Sequence, residues 1–545
     1  MNLVNTIPLS SLFVLSLASI LHAAGGKLTV TVSDEVTGQP TIARLEIFRG
    51  QPGEKLMPMR KVVASSVSPS ATSPNSVGVV IDRSLELSFP DGIYSFRLTR
   101  GPEYRVIRGN FELERESFDD HHVVLPRMIE MIEDGWVSGD ACVLPSPNSL
   151  PLRMASEDLH VAAVIGRQEA KPIPGRDRRE EIEHSPTWIR DDVVYDQGLL
   201  YYGLSETNEL VKTEELVKTE GPAETEGLVK MEGLASSRLA NLPRQSERVR
   251  VAIENPFAWP LPVWIASERI DGIFLLGDWL QPDRKRISVE EGRNPEEPRT
   301  KDPAELGRFA TQIYFKLLEA GIRLVPLAGS GNQGKATCVG YNRLYVNNED
   351  TTYTYQASEE NGLATRMETA ESWWDAAWKG KSVVTNGPML KPRLEGQVPG
   401  HVFSARSGDA VRLQPELQLS TRDPVDYLDV VCNNQIHYSA RLDEFAKAGG
   451  IIPPLELTES SWVVYRVVTL YEDHYRAALS APWFIEFDGK PRKTSQAAKY
   501  FRDWLSEYEA ILMKLPPQEL AKHVPYIRSA RAFWDARISD SDGNE

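Results

Sequence analysis

The spacing of apolar residues changes twice along this chain, and those changes limit what it can fold into more than any single motif does. From Lys27 to about Arg127, apolar and polar residues alternate in short runs: KLTVTVSD, ARLEIFRG, LELSF, IYSFRLTRG, VIRGNFELE and HHVVLPR. A period of two marks strands with one buried face, and the Pro90-Asp91-Gly92 turn and the Ser/Pro-rich stretch Ser65–Ser76 punctuate them. A small β-sandwich over 25–127 is expected. After Trp136, compact apolar runs (HVAAVIG, RVRVAIEN, DGIFLLG, IRLVPLAG, NRLYV, SVVTNG) alternate with helical patterns, which predicts a parallel sheet or barrel with crossover helices over 128–395. From Gln397 to Gly489 strand patterns return in DYLDVVCN, SWVVYRVVTLY and PWFIEF, so a second β-sandwich is expected over 396–490 and a helical tail over 491–545. The fold class is thus multi-domain, α/β plus β.

The helices announce their ends. Asp302, Pro303 and Glu305 form a capping signature for a helix from Pro303 to Ala320, and Gly321 stops it. A second helix should run from Ala370 to Lys379 and stop at Gly380. In the tail, Ala497, Phe501, Trp504, Tyr508, Ile511 and Leu515 recur at helical spacing after a Thr494 cap, and Pro525 to Ile538 supplies another helix. Such a stripe reads as a docking face. Between Ser205 and Gly233 the near-repeats ELVKTE, ELVKTE and GLVKME read as an acidic surface insertion, about 205–247, because their period of about six residues is too short for a solenoid.

Charge and cysteine usage narrow the partners. Lys and Arg number 61 against 77 Asp and Glu, a formal net charge of -16 that argues against nucleic acid. The apolar run Leu9–Leu21 followed by Ala23 and Ala24 reads as a signal peptide over 1–24, which places the chain in the periplasm or outside the cell. No later stretch is apolar enough to span a bilayer. The three cysteines, Cys142, Cys338 and Cys432, lie too far apart in sequence to suggest a disulfide framework.

The stretch GWVSGDACVLPSPNSLPLRMASEDLHVAAVIG resembles the opening of the CehA/McbA-like metallohydrolases, a branch of the PHP (polymerase and histidinol phosphatase) superfamily whose members read G-W-x-S-G-D-x-H-x-H there. AIENPFAWPLPVWIASERIDGI, IYFKLLEAGIRLVPLAGSG, VGYNRLYV and VVTNGPML extend the likeness in the same order. Within 25–127, GKLTVTVSDEVTGQPTIARLEIF and FPDGIYSFRLTRGPEYRVIRGNFELE together resemble the carboxypeptidase-regulatory-like sandwiches that precede many exported enzymes. The resemblance implies a PHP-like α/β barrel flanked by two sandwiches, with divalent metals held at strand ends.

The residues depart from that pattern where the chemistry would sit. Residues two apart on a strand share a face, so H-x-H lets two imidazoles reach one ion. Here those places hold Cys142 and Leu144, and leucine has no lone pair. Where relatives carry Asn-Asn-His this chain has Gly277, Asp278 and Trp279. Asp140, Cys142, Glu254, Asp278, Ser330 and Asn332 remain at the matching strand ends as pocket candidates, and Asp140, Glu254 and Asp278 offer hard oxygen ligands for a divalent metal such as Mg²⁺ or Ca²⁺. No residue is assigned as catalytic, and no cofactor is expected beyond such a metal.

Other signals have plainer readings. Asp119-Asp120-His121-His122 lies on a strand, where adjacent side chains face opposite ways, so a surface strand edge is expected. Asp158 and His160 precede the apolar run VAAVI and should make structural hydrogen bonds, since barrel sites form at strand exits. Gly329-Ser330-Gly331-Asn332-Gln333-Gly334 matches G-x-G-x-x-G but leads to the strand-like GYNRLYV rather than to a helix. Trp373, Trp374 and Trp378 are read as crossover-helix core before sugar platform, and Cys142 as an inert thiol. Two functions follow. The first is an exported, catalytically impaired relative that binds a small molecule or polymer or serves as a scaffold; the second is a hydrolase of esters, amides or phosphoesters with a reduced carboxylate site.

Overall fold

The computed structural model describes residues 26–50, 57–58, 79–114, 117–144, 150–165, 188–204, 235–242, 249–280, 292–295, 304–331, 338–348, 371–471 and 475–542. The signal segment, the Ser65–Ser76 loop, the Asp302–Pro303 cap and the near-repeats of the acidic insertion lie outside these residues. The chain is built mostly of strands in several sheets, with few helices and a helical C-terminal tail. No described helix is long and apolar enough to cross a membrane.

Alternating text becomes an eight-stranded N-terminal sheet made of β1 (Gly26–Asp34), β2 (Ile42–Arg49), β3 (Met57–Pro58), β4 (Val79–Asp82), β5 (Ser84–Phe89), β6 (Gly92–Thr99), β7 (Ile107–Leu113) and β8 (Phe118–Leu125). In β5, Leu85, Leu87 and Phe89 are buried while Glu86 and Ser88 between them are not, the one-faced burial that a period of two dictates. β8 sits at the end of the order β7-β6-β2-β4-β5-β1-β8 and, among the described strands, pairs only with β1. There His122 bonds Thr31 and Ser33, both at 3.0 Å, while His121 lies 3.7 Å from Asp119, so the His pair is a surface edge as expected.

The central strands are β9 (Trp136–Val143), β10 (Val161–Ile165), β11 (Trp188–Asp196), β12 (Leu199–Tyr202), β13 (Arg250–Ile253), β14 (Gly272–Leu276), β15 (Val325–Ala328), β16 (Arg343–Asn347) and β17 (Ser382–Thr385). All eight residues of β9 are buried, which requires cover on both faces. The six apolar runs singled out in the sequence are all strands, but only β9-β10-β11 and β13-β14-β15 run parallel. Between these groups the β11–β12 hairpin reverses the chain, because Gln197 and Gly198 both take positive φ (49° and 95°), the backbone a two-residue type I′ turn needs. β16 and β17 add antiparallel strands beside β9. The exit of β9 also meets the loop after β15: Val143 and Gly331 form a parallel bridge, with Leu144 N–H donating to Gly331 O (2.7 Å) and Gly331 N–H to Cys142 O (2.8 Å).

The remaining strands are β18 (Met389–Leu394), β19 (Val402–Ala405), β20 (Val411–Leu413), β21 (Pro415–Ser420), β22 (Val425–Cys432), β23 (Gln435–Ala440), β24 (Leu455–Leu457), β25 (Ser461–Thr469), β26 (Ala477–Ser480) and β27 (Trp483–Phe487). β17 pairs with β26, so one sheet of fifteen strands runs without a break from the central strands into the C-terminal ones.

The helices are α1 (Leu150–Ser156), α2 (Ala235–Asn241), α3 (Leu261–Ala266), α4 (Glu305–Glu319), α5 (371–378), α6 (Leu442–Lys447), α7 (Ser495–Leu512) and α8 (Pro517–Asp542). α4 and α5 end at Gly321 and Gly380, whose φ values of 73° and 74° break the helix as the sequence predicts. On α5, Trp373 donates to Val137 O (3.0 Å), and Trp374 and Trp378 pack on Tyr202, so these rings are core. The tail's aromatic stripe docks as read: Phe501 stacks on Trp534 at 5.1 Å, and Trp534 donates to Pro262 O (3.0 Å) on α3.

Candidate functional site

Four strands that share one direction deliver the candidate residues to one end of the central unit. Asp140 and Cys142 lie two apart on β9 and therefore share a face. Glu254 follows β13 directly, and Asp278 and Ser330 stand two residues beyond the ends of β14 and β15. Glycine lets these exits approach closely. A Cβ on Gly329 would stand 2.6 Å from the Cys142 Cβ, and one on Gly331, at φ 58°, would stand 2.4 Å from the Asp278 carboxyl. Burial pushes the Cys142 thiol well above its ordinary pKa, and the carboxylates of Glu254, Asp140 and Asp278 reinforce this, so the thiol stays neutral. The structure thus brings together Asp140, Cys142, Glu254, Asp278 and Ser330; Asn332 lies outside the described residues.

Asp140 is the centre of the arrangement, bonded by three main-chain N–H groups beside the Ser330 side chain. Its Oδ1 accepts from the N–H groups of Cys142 (3.1 Å) and Ser330 (3.0 Å), and its Oδ2 from Gly340 N–H (2.8 Å). Burial raises its pKa to about 6, and the hydrogen bonds from Ser330, Gly340 and Cys142 restrain the rise. One carboxylate therefore ties the exit of β9 to the loop after β15 and to the turn before β16.

Asn342, which sequence reasoning missed, extends the tie. Its Nδ2 donates to Gly277 O (3.1 Å) and Gly329 O (3.2 Å), and its main chain exchanges hydrogen bonds with the Ser330 hydroxyl. An asparagine just before a strand is too common to stand out; only its complete burial marks it.

The positions where the resembled family carries histidine are buried in or packed against the core. Cys142 and Trp279 are each 4% exposed and belong to the largest core, and Leu144 packs against it. Trp279 meets Phe257 edge to face at 4.8 Å, and Phe257 stacks on Phe309 at 5.6 Å. The three histidine places supply no imidazole: leucine has no lone pair, an indole N–H only donates, and the Cys142 thiol stays neutral. Among the described residues no three His, Cys, Asp or Glu side chains stand where they could hold a metal ion.

Asp158 and His160 make the structural contacts expected at the start of β10. Ser138 Oγ bonds His160 Nδ1 (2.9 Å) and donates to Asp158 O (2.8 Å), while Arg100 donates to Asp158 Oδ1 (3.1 Å). No protein-family model matches the chain, and comparison with curated proteins and with solved structures gives no match either.

Proposed function

We propose that this protein is an exported, noncatalytic relative of the CehA/McbA-like metallohydrolases, a PHP-like barrel flanked by two β-sandwiches that acts as a binding or scaffold protein outside the cytoplasm. One observation carries the reading. The three places where the resembled family holds metal with histidine are Cys142 and Trp279, buried in the largest core, and Leu144, packed against it, while Asp140 beside them accepts three backbone N–H groups. The barrel reading draws on the seven strands from β9 to β15 and on the Val143–Gly331 bridge that joins the first exit to the loop after the last. On this reading the site has no histidine to hold a metal that would activate water, and the neutral Cys142 thiol is no nucleophile.

The first test is elemental analysis of the purified protein after incubation with Zn²⁺, Mn²⁺ and Mg²⁺, followed by generic ester and phosphoester assays. Metal well below one equivalent and no turnover above buffer are expected; stoichiometric metal with turnover would sink the proposal. The second is the triple change Cys142→His, Leu144→His and Trp279→His, which is expected to create Zn²⁺ binding that calorimetry does not detect in the parent. A folded triple variant with no gain in affinity would mean that the strand exits are not laid out as a PHP-like site.

A further inference from the structure

The surface between the N-terminal sheet and the central strands carries a cluster of buried charges. Glu103, in the loop between β6 and β7, is 3% exposed and reaches across it. Its Oε2 accepts from Met131 N–H (3.0 Å), and its Oε1 accepts from the Tyr345 hydroxyl on β16 (3.0 Å). Beside it the Arg127 guanidinium lies within 4 Å of Asp34 (3.9 Å), Glu103 (3.5 Å), Glu130 (3.5 Å) and Asp158 (3.8 Å). Arg422, from beyond β21, closes the same joint by donating to the carbonyls of Gly101 and Tyr104.

We propose that this joint is a pH-sensitive latch, tightened by acid and loosened by base, in which the Glu103 carboxyl is the group that changes state. Arg127, Asp158, Arg343 and Tyr345 face that carboxyl, and the other titratable and charged groups of the joint are Tyr104 and Arg100 from its own loop, Glu130 after β8, Asp34 at the end of β1 and His160 behind Asp158. Two features of this geometry make it switchable. Among the described residues Glu103 has one ionic contact, at 3.5 Å, and its shorter bonds come from neutral donors, whereas Asp158 faces both Arg100 and Arg127.

Burial, reinforced by Asp158, lifts Glu103 to about 7, while Arg100 and Arg127 overcome the burial of Asp158 and hold it below its ordinary value. A carboxyl raised in the folded state supports the joint below its ordinary range, and that support is lost as pH rises through about 7. Burial holds His160 down at about 4, so His160 works the other way, weakening the structure as pH falls from about 6.5 to 4. The export proposed above would put this latch in contact with external pH.

The test is hydrogen exchange on the full chain, read by mass spectrometry over 100–106 and 126–134 at pH 6 and pH 8.5, after correction for the intrinsic pH dependence of exchange. Protection at the joint should be greater at pH 6. The ratio of wild-type to Glu103→Gln protection should change about tenfold between the two pH values, because glutamine cannot titrate. Equal protection at the two pH values in the wild type, or an unchanged ratio to the variant, would overturn the proposal. Should Glu103→Gln not fold, Tyr345→Phe removes one donor to the ionised carboxylate and is expected to move the midpoint upward; an unmoved midpoint would overturn it too.

Discussion

Replacing Arg127 by alanine should cost about 3–5 kcal/mol, the range found when one partner of a buried ionic cluster is removed. The guanidinium faces four carboxylates, and three of them, Asp34, Glu103 and Asp158, have side chains no more than 8% exposed. It also donates to the Tyr104 hydroxyl and covers that ring at 4.4 Å. Without it the carboxylates stay in a dry interface with too few cations. Urea denaturation checks this, and the loss should appear first in probes of the N-terminal sheet. A change below about 1 kcal/mol would mean that water already reaches the cluster. Arg127→Lys keeps the charge but not the planar fork, so it should recover only part of the loss.

Asp140→Ala comes second and should cost a similar 3–5 kcal/mol, since it strands three buried N–H groups at once, each at about 1–3 kcal/mol, with some relaxation. Thermal unfolding would measure it. Asp140→Asn serves as the pH probe. The carboxyl is raised to about 6 in the fold by burial, so the stability it contributes is present below the ordinary carboxylate range and lost as pH rises through about 6. The asparagine variant should flatten that part of the profile, and an unaltered slope between pH 4 and 6 would show that Asp140 is not its source.

These two residues show how far the text could be read. Asp140, Glu254 and Asp278 were legible as strand-end residues only through the family resemblance, which matches them to the ends of successive strands; no apolar run singles out Asp140 in the middle of WVSGDACV. The partners of Asp140 were not legible, because they come from residues 142, 330 and 340, which no periodicity links. The central apolar runs announced their strands for the same local reason. The β11–β12 hairpin escaped because Arg190, Asp191 and Asp192 interrupt the apolar pattern of β11. The ionic joint was invisible for a different reason: Arg127, Glu103 and Asp158 are far apart in sequence, and each alone looks like a solvated charge.

The pairing of β17 with β26 bears on how such a protein can change over time. Val383, Val384 and Thr385 are hydrogen-bonded neighbours of Ser480, Leu479 and Ala478, so a cut at residue 395 separates partners within one sheet and frees a row of main-chain donors and acceptors. The central and C-terminal parts therefore cannot be shuffled between genes as independent modules. Recombination that preserved this fold would have had to move both together.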